Sequence, residues 1–125
     1  LVMITVAIHG VVLGWSLHGF RDVKAGMGSI GAIWTLSRLA LLVVITHLVE
    51  ILLWAVYFHW RGVIEGLEQA FYFSAVTYAT IGYGDVVPPE SWRLISAMEG
   101  LTGILMCGWS GGYFFAIVSR LIRIP

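Results

Sequence analysis

Charge is what this sequence has least of. Only 11% of its 125 residues are Asp, Glu, Lys or Arg, against about 25% in an ordinary soluble chain. A small soluble domain could not hide the 59% of residues that are hydrophobic, so the solvent this chain is built for is lipid. The formal net charge is zero, which removes the basic patch that nucleic-acid binding requires. Cysteine is nearly absent too. Cys107 is alone in an apolar run, so neither an intrachain disulfide nor CxxC-type metal spacing is available. No helix carries arginines at three-residue intervals, which excludes a voltage sensor of the usual kind. Internal repeats and low-complexity tracts are missing, and no enzymatic activity is expected.

What is present is apolar length. A spanning helix needs roughly 20 mostly apolar residues. Leu1–Leu17 nearly meets this. It lacks the basic start and the small-residue cleavage site of a secretory signal, so it reads as a first span. Because the chain opens on Leu1 rather than Met, residues before it are expected to be missing. Residues 20–31, with Arg21, Asp22, Lys24 and several glycines, read as a loop with room for a short interfacial helix. Leu36–Phe58 is a second span, and Ser91–Ile122 a third that is longer than a bilayer needs.

Leu67–Pro89 lies between spans two and three. Leu67–Ala79 forms at most a helix of about 20 Å, too short to cross. Gly82 and Gly84 follow, then Pro88-Pro89. Non-helical backbone at membrane depth survives only where protein buries it or where it lines a watery path. The expected fold is therefore an all-α integral membrane protein with three transmembrane helices. A re-entrant pore helix and filter loop separate the second from the third. Residues 1–34 form a peripheral helix and cytoplasmic loop, and residues 35–125 a pore domain. Its parts are an outer helix over 35–59, a pore helix over 67–79, a filter over 80–85 and an inner helix over 91–122.

Charge sets the orientation. Arg21, Lys24, Arg38, Arg120 and Arg123 fall on one side. Only Arg61 and Arg93, with Glu65, Glu68, Asp85 and Glu90, fall on the other. The positive-inside rule places the first side in the cytoplasm, leaving the N-terminus and the filter mouth outside. Trp60 and Trp92 then sit at the outer interface, and Trp15 and Trp34 near the inner one.

Glycines two apart allow alternating left-handed backbone, which turns successive carbonyls toward one axis. Stacked carbonyl rings can replace the water shell of a permeating cation. Thr80 can add a hydroxyl, while Ile81 and Tyr83 would point away and hold the segment open. The end of the short helix, near Thr77–Ala79, carries about half a negative charge and favours a cation beyond it. Glu65 and Glu68 lie near the opposite, positive end.

Thr80-Ile81-Gly82-Tyr83-Gly84-Asp85 resembles the selectivity filter of the tetrameric potassium channel family. Phe71 to Ala79 resembles its pore helix, and Gly103 its inner-helix hinge glycine. The form, one helix added before a two-helix pore, is similar to small bacterial members. This implies a potassium-selective channel in the plasma membrane, with K+ held by the carbonyls of Thr80, Ile81, Gly82 and Tyr83 and no other cofactor. It also implies that three further copies complete a homotetramer in the bilayer, supported at the filter by Gly84 and Asp85. Two departures stand out. Tyr72 and Phe73 occupy positions where many relatives carry paired tryptophans, and Val76 a position where some carry glutamate. Val76 cannot donate to Asp85, so the Tyr72 hydroxyl is expected to do so. A gate is expected at Gly103 and at a constriction over Ile117 to Leu121.

Ionisable groups inside the spans are costly, on the order of 2.5–3.5 kcal/mol each. His47 and Glu50 share one helix face, with His9 in span one and Glu99 in span three. One reading is a proton-sensitive latch in which Glu50 and His47 bond to span one or three. Another is a neutral acid satisfied by a nearby hydroxyl. A membrane metal or redox protein using these four residues, a non-selective cation channel and a non-conducting partner subunit are the alternatives.

Overall fold

The computed structural model describes residues 1–19 and 28–122. These form four helices, α1 (Val2–Gly19), α2 (Ser29–Trp60), α3 (Leu67–Tyr78) and α4 (Arg93–Ile122), with a 3-10 turn at Glu90–Trp92 before α4. Among the described residues, α1, α2 and α4 are long and apolar enough to cross a membrane. In hydrocarbon every backbone N–H and C=O must be satisfied inside the protein, and a helix does this within one segment.

The second span begins earlier than expected. Residues 29–31 were read as loop and the outer helix as starting at 35, yet α2 already runs from Ser29. Its 32 residues measure about 48 Å, well beyond the hydrocarbon thickness of about 30 Å. The early start adds about two turns at the N-terminal end. The expected interfacial helix, with Arg21 and Lys24, lies outside the described residues, as does Arg123.

α2 stops at a Schellman cap. Gly62 takes φ +67°, its N–H reaches the His59 carbonyl at 3.0 Å, and the Val63 N–H reaches Phe58 at 2.9 Å. The left-handed residue reverses the chain while satisfying the last carbonyls. α3 then runs back along α2 for 12 residues, about 18 Å. Ala70, Phe73, Ser74 and Tyr78 are its buried residues, one stripe at helical spacing. The core lies where α2, α3 and α4 meet, with Trp54, Ala55, Phe58, Ala70, Phe73, Tyr78 and Met106 closed from solvent. Aromatic edges tie its end. Phe58 meets Phe73 at 5.4 Å, Tyr57 meets Trp92 at 6.0 Å, and Arg61 lies over Trp92 at 5.5 Å.

α1 docks differently. Its buried stripe is Thr5, His9, Leu13 and Ser16, three of them polar. Ser16 Oγ meets Tyr113 Oη of α4 at 2.7 Å. Gly10 lets the Trp109 ring approach, at 3.2 Å from where a Cβ would sit. Lipid supplies no hydrophobic drive between helices, so close packing and hydrogen bonds hold this one.

Gly103 is the tightest glycine. A Cβ there would collide with the Tyr78 backbone carbonyl and ring. Gly103→Ala should therefore lower stability by about 1–3 kcal/mol, the usual range for overpacking. Gly14, with nothing within 4 Å, should tolerate alanine without loss. Thermal melts of the two variants in detergent check both.

Candidate functional site

The segment after α3 is shaped by its own backbone. α3 ends with the Thr80 N–H on the Thr77 carbonyl at 2.9 Å. The Val76 carbonyl then accepts twice, from Ile81 N–H at 2.9 Å and Gly82 N–H at 3.3 Å. Two successive amides are thus turned back onto the helix end. Thr80 takes φ +58°, Gly82 +58° and Gly84 +78°, with Ile81 and Tyr83 between them outside the left-handed region. The alternation expected of the two glycines is present, and it starts one step earlier. Thr80 was not expected to join it. A β-branched residue at positive φ is a true outlier and costs about 1–3 kcal/mol, and only the three bonds onto Thr77 and Val76 hold it there. Ile81 and Tyr83 are 54% and 69% exposed, so packing within the chain does not hold them.

Tyr72 and Asp85 meet across the loop. Tyr72 Oη donates to Asp85 Oδ2 at 2.7 Å, the pairing expected from the lack of a donor at Val76. Val76 itself supports the segment through its carbonyl, a role its side chain does not signal. The Val86 N–H closes on Asp85 Oδ1 at 3.1 Å. The Tyr72 donation holds the Asp85 carboxyl below the usual carboxylate range, and the same bond pushes the Tyr72 phenol up.

Deeper in the molecule His9, His47 and Glu50 join Tyr78 and Ser110 in a closed ring. His9 Nδ1 lies 2.9 Å from Glu50 Oε1, and the Tyr78 hydroxyl donates to Glu50 Oε2. His47 Nδ1 is 3.1 Å from Tyr78 Oη. Ser110 Oγ then bridges His9 Nε2 at 3.0 Å and His47 Nε2 at 3.2 Å. All four helices contribute. One reading had Glu50 and His47 bonding to span one or span three and the other had the acid satisfied by a nearby hydroxyl; the pair reaches both spans, and the Tyr78 hydroxyl is also on Glu50. Tyr78 and Ser110 went unread: Ser110 sits among glycines that suggest simple close packing, and Tyr78 within an aromatic stretch that suggests core.

The other site expectations are scattered. Glu99 is fully buried, apart from the ring, and neither of its carboxylate oxygens has a partner among the described residues. Ile117, half of the expected constriction, is 2% exposed within one chain and so packs inside the subunit. Leu121 keeps a partly open face.

Fold and segment together define an integral membrane protein, with three spanning helices around a short one that ends in a glycine-patterned loop. Residues 44–120 match the family described as ion channel, and the chain belongs to it. It is similar to Two-pore potassium channel 4 of Arabidopsis thaliana, 38% identical over 78 residues, which is 58% of this chain and 27% of that protein. It is also similar to the voltage-gated potassium channel Kch of Escherichia coli (strain K12), 52% identical over 61 residues, 48% of this chain and 14% of that one. The chain thus spans about a quarter or less of the curated relatives it matches. No solved structure gives a match.

The Tyr72–Asp85 bond has a definite pH window. It is present above the ordinary carboxylate value, and acid breaks it only as pH falls through Asp85's lowered native value. Tyr72→Phe should move the Asp85 titration back up toward the ordinary carboxylate range. Carboxyl-carbon NMR of labelled Asp85 reads that shift, and an unmoved titration would show the bond to be idle.

Proposed function

We propose that this chain is one subunit of a potassium-selective channel, in which four copies bring their 80–85 segments to a common axis. The observation that carries the reading is the alternation of positive φ at Thr80, Gly82 and Gly84. Such a chain can turn consecutive carbonyls to one side, and stacked carbonyl rings replace the hydration of a K+ ion. Thr80, Ile81, Gly82 and Tyr83 supply the oxygens, and α3 is the re-entrant pore helix. Its C-terminal end carries about half a negative charge, and four such ends favour a cation in the space they face. One chain supplies one loop, so a filter needs three further copies. The apolar residues left open on α4, among them Leu101, Ile104, Leu105 and Phe115, suit burial against those copies and lipid.

The charge asymmetry supports a plasma-membrane orientation with the filter mouth outside and Arg38 and Arg120 in the cytoplasm. Retention of Tyr83-Gly84 favours potassium selectivity over a non-selective cation pore on the same scaffold. A gate, if carried by the expected constriction, falls to Leu121 rather than to Ile117.

The protein reconstituted into liposomes should show a reversal potential that follows the potassium gradient and ignores sodium. A current that follows both ions equally would leave the scaffold and remove the selectivity. Gly84→Ala forces a side chain into a left-handed position, a cost of about 1–2 kcal/mol per chain, and should abolish or derange flux. Tyr72→Phe should leave selectivity near that of the parent but speed the loss of current during sustained conduction.

A further inference from the structure

The ring around Glu50 is built as a metal site. We propose that His9, His47 and Glu50, completed by the Tyr78 hydroxyl, bind one divalent first-row transition ion of the zinc class per chain. The site stands on this chain alone and does not depend on the channel reading.

The donor atoms converge. One ligand atom from each of His9, His47 and Glu50 lies within 4.8 Å of the others. His9 Nδ1 is 2.9 Å from one Glu50 oxygen and His47 Nδ1 is 3.6 Å from the other. Around an ion with ligand bonds of about 2.0–2.1 Å in tetrahedral array, neighbouring donors stand about 3.3 Å apart. The two observed spacings, each to a different oxygen of Glu50, bracket that value, and the donor atoms of the three residues lie no more than 4.8 Å apart. Two imidazoles and a carboxylate suit zinc, cobalt or nickel and disfavour magnesium and calcium, which take oxygen ligands.

Ser110 makes the second argument. Its oxygen faces the Nε2 atoms of both histidines, and a hydroxyl oxygen has two acceptor lone pairs. If both Nε2–H groups donate to it, both Nδ1 lone pairs are freed, and both Nδ1 atoms lie on the Glu50 and Tyr78 side of the ring. Ser110 is so placed that it can accept from both Nε2–H groups once the Nδ1 atoms turn to a metal, the outer-shell role expected beside a ligand pair.

A divalent ion there would offset the Glu50 carboxylate in a medium that penalises isolated charge. The groups facing the ring are its five members and the Trp109 ring, 5.5 Å from His9. Glu99 and Cys107 lie within electrostatic reach of Tyr78. His47, with 16% of its side chain exposed, is the least buried ligand and offers the way in.

The test uses the purified chain in detergent, with His18→Gln, His59→Gln and Cys107→Ser removing the other imidazoles and the thiol. Titration with Co2+ should give one ion per chain and the intense visible absorption of four-coordinate cobalt. Zn2+ should displace it, and Mg2+ and Ca2+ should not. Ser110→Ala, which removes no ligand, should weaken binding about 10–100-fold, and His47→Gln should abolish the spectrum. Circular dichroism confirms that each variant remains helical. If His47→Gln does not fold, the parent spectrum and Ser110→Ala decide. A parent protein that stays folded and gives no cobalt spectrum overturns the proposal, as does binding that survives intact in a folded His47→Gln chain.

Discussion

Hydrocarbon offers a polar group no partner, and this chain is arranged around that constraint. Its three long helices satisfy their backbone internally. Its side chains face the harder problem, because His9, His47 and Glu50 all lie within spans. None of them could be left unpaired in lipid without a cost of several kcal/mol. Each finds its partners on a different helix, and the chain of partners closes on itself. The need to satisfy a carboxylate at depth therefore fixes how α1, α2, α3 and α4 stand against one another. α1 shows the effect most clearly. Its buried stripe is mostly polar, and its outward face displays Met3, Val11 and Trp15, so hydrogen bonds and not apolar area decide which side turns inward.

Tyr78 is where that constraint reaches the site. Its hydroxyl belongs to the ring, and its backbone carbonyl rests against Gly103 of α4. Two residues later the backbone enters the left-handed region at Thr80. A strained conformation of this kind persists only where its surroundings over-determine it. The end of α3 is held by the ring on one side and by α4 on the other. The Thr77 and Val76 carbonyls supply the last link to Thr80, Ile81 and Gly82. The strain at Thr80 is thus carried by the end of α3, whose Thr77 and Val76 carbonyls bond directly to the segment.

What the sequence disclosed follows the range of the forces involved. The spans, the short helix and the glycine alternation depend on composition within a few turns, and those were readable. So was Tyr72 with Asp85, because an absence at Val76 pointed to a donor one turn away. The start of α2 at Ser29 was not, since Gly28 and Gly31 beside polar residues mimic a loop. The positive φ of Thr80 was not legible either: a β-branched residue argues against it unless bonds such as those onto Thr77 and Val76 enforce it. Ser110 lies 101 residues from His9 and 63 from His47, and nothing local marks it. One serine among Gly108, Gly111 and Gly112 has the look of a packing residue until the fold brings two imidazoles to it.

Gly103 shows how packing and motion can be one matter. Family resemblance suggests a hinge, yet in this chain the absent side chain is what admits the Tyr78 carbonyl. Gly108, Gly111 and Gly112 have open space where a Cβ would stand and could flex without disturbing a neighbour in the same chain. A bend at Gly103 could not. It would draw α4 off the Tyr78 carbonyl and ring, which pack against Gly103 two residues before the left-handed backbone begins. The hinge position suggested by resemblance is thus also the tightest contact between α4 and the end of α3, and packing there opposes a bend.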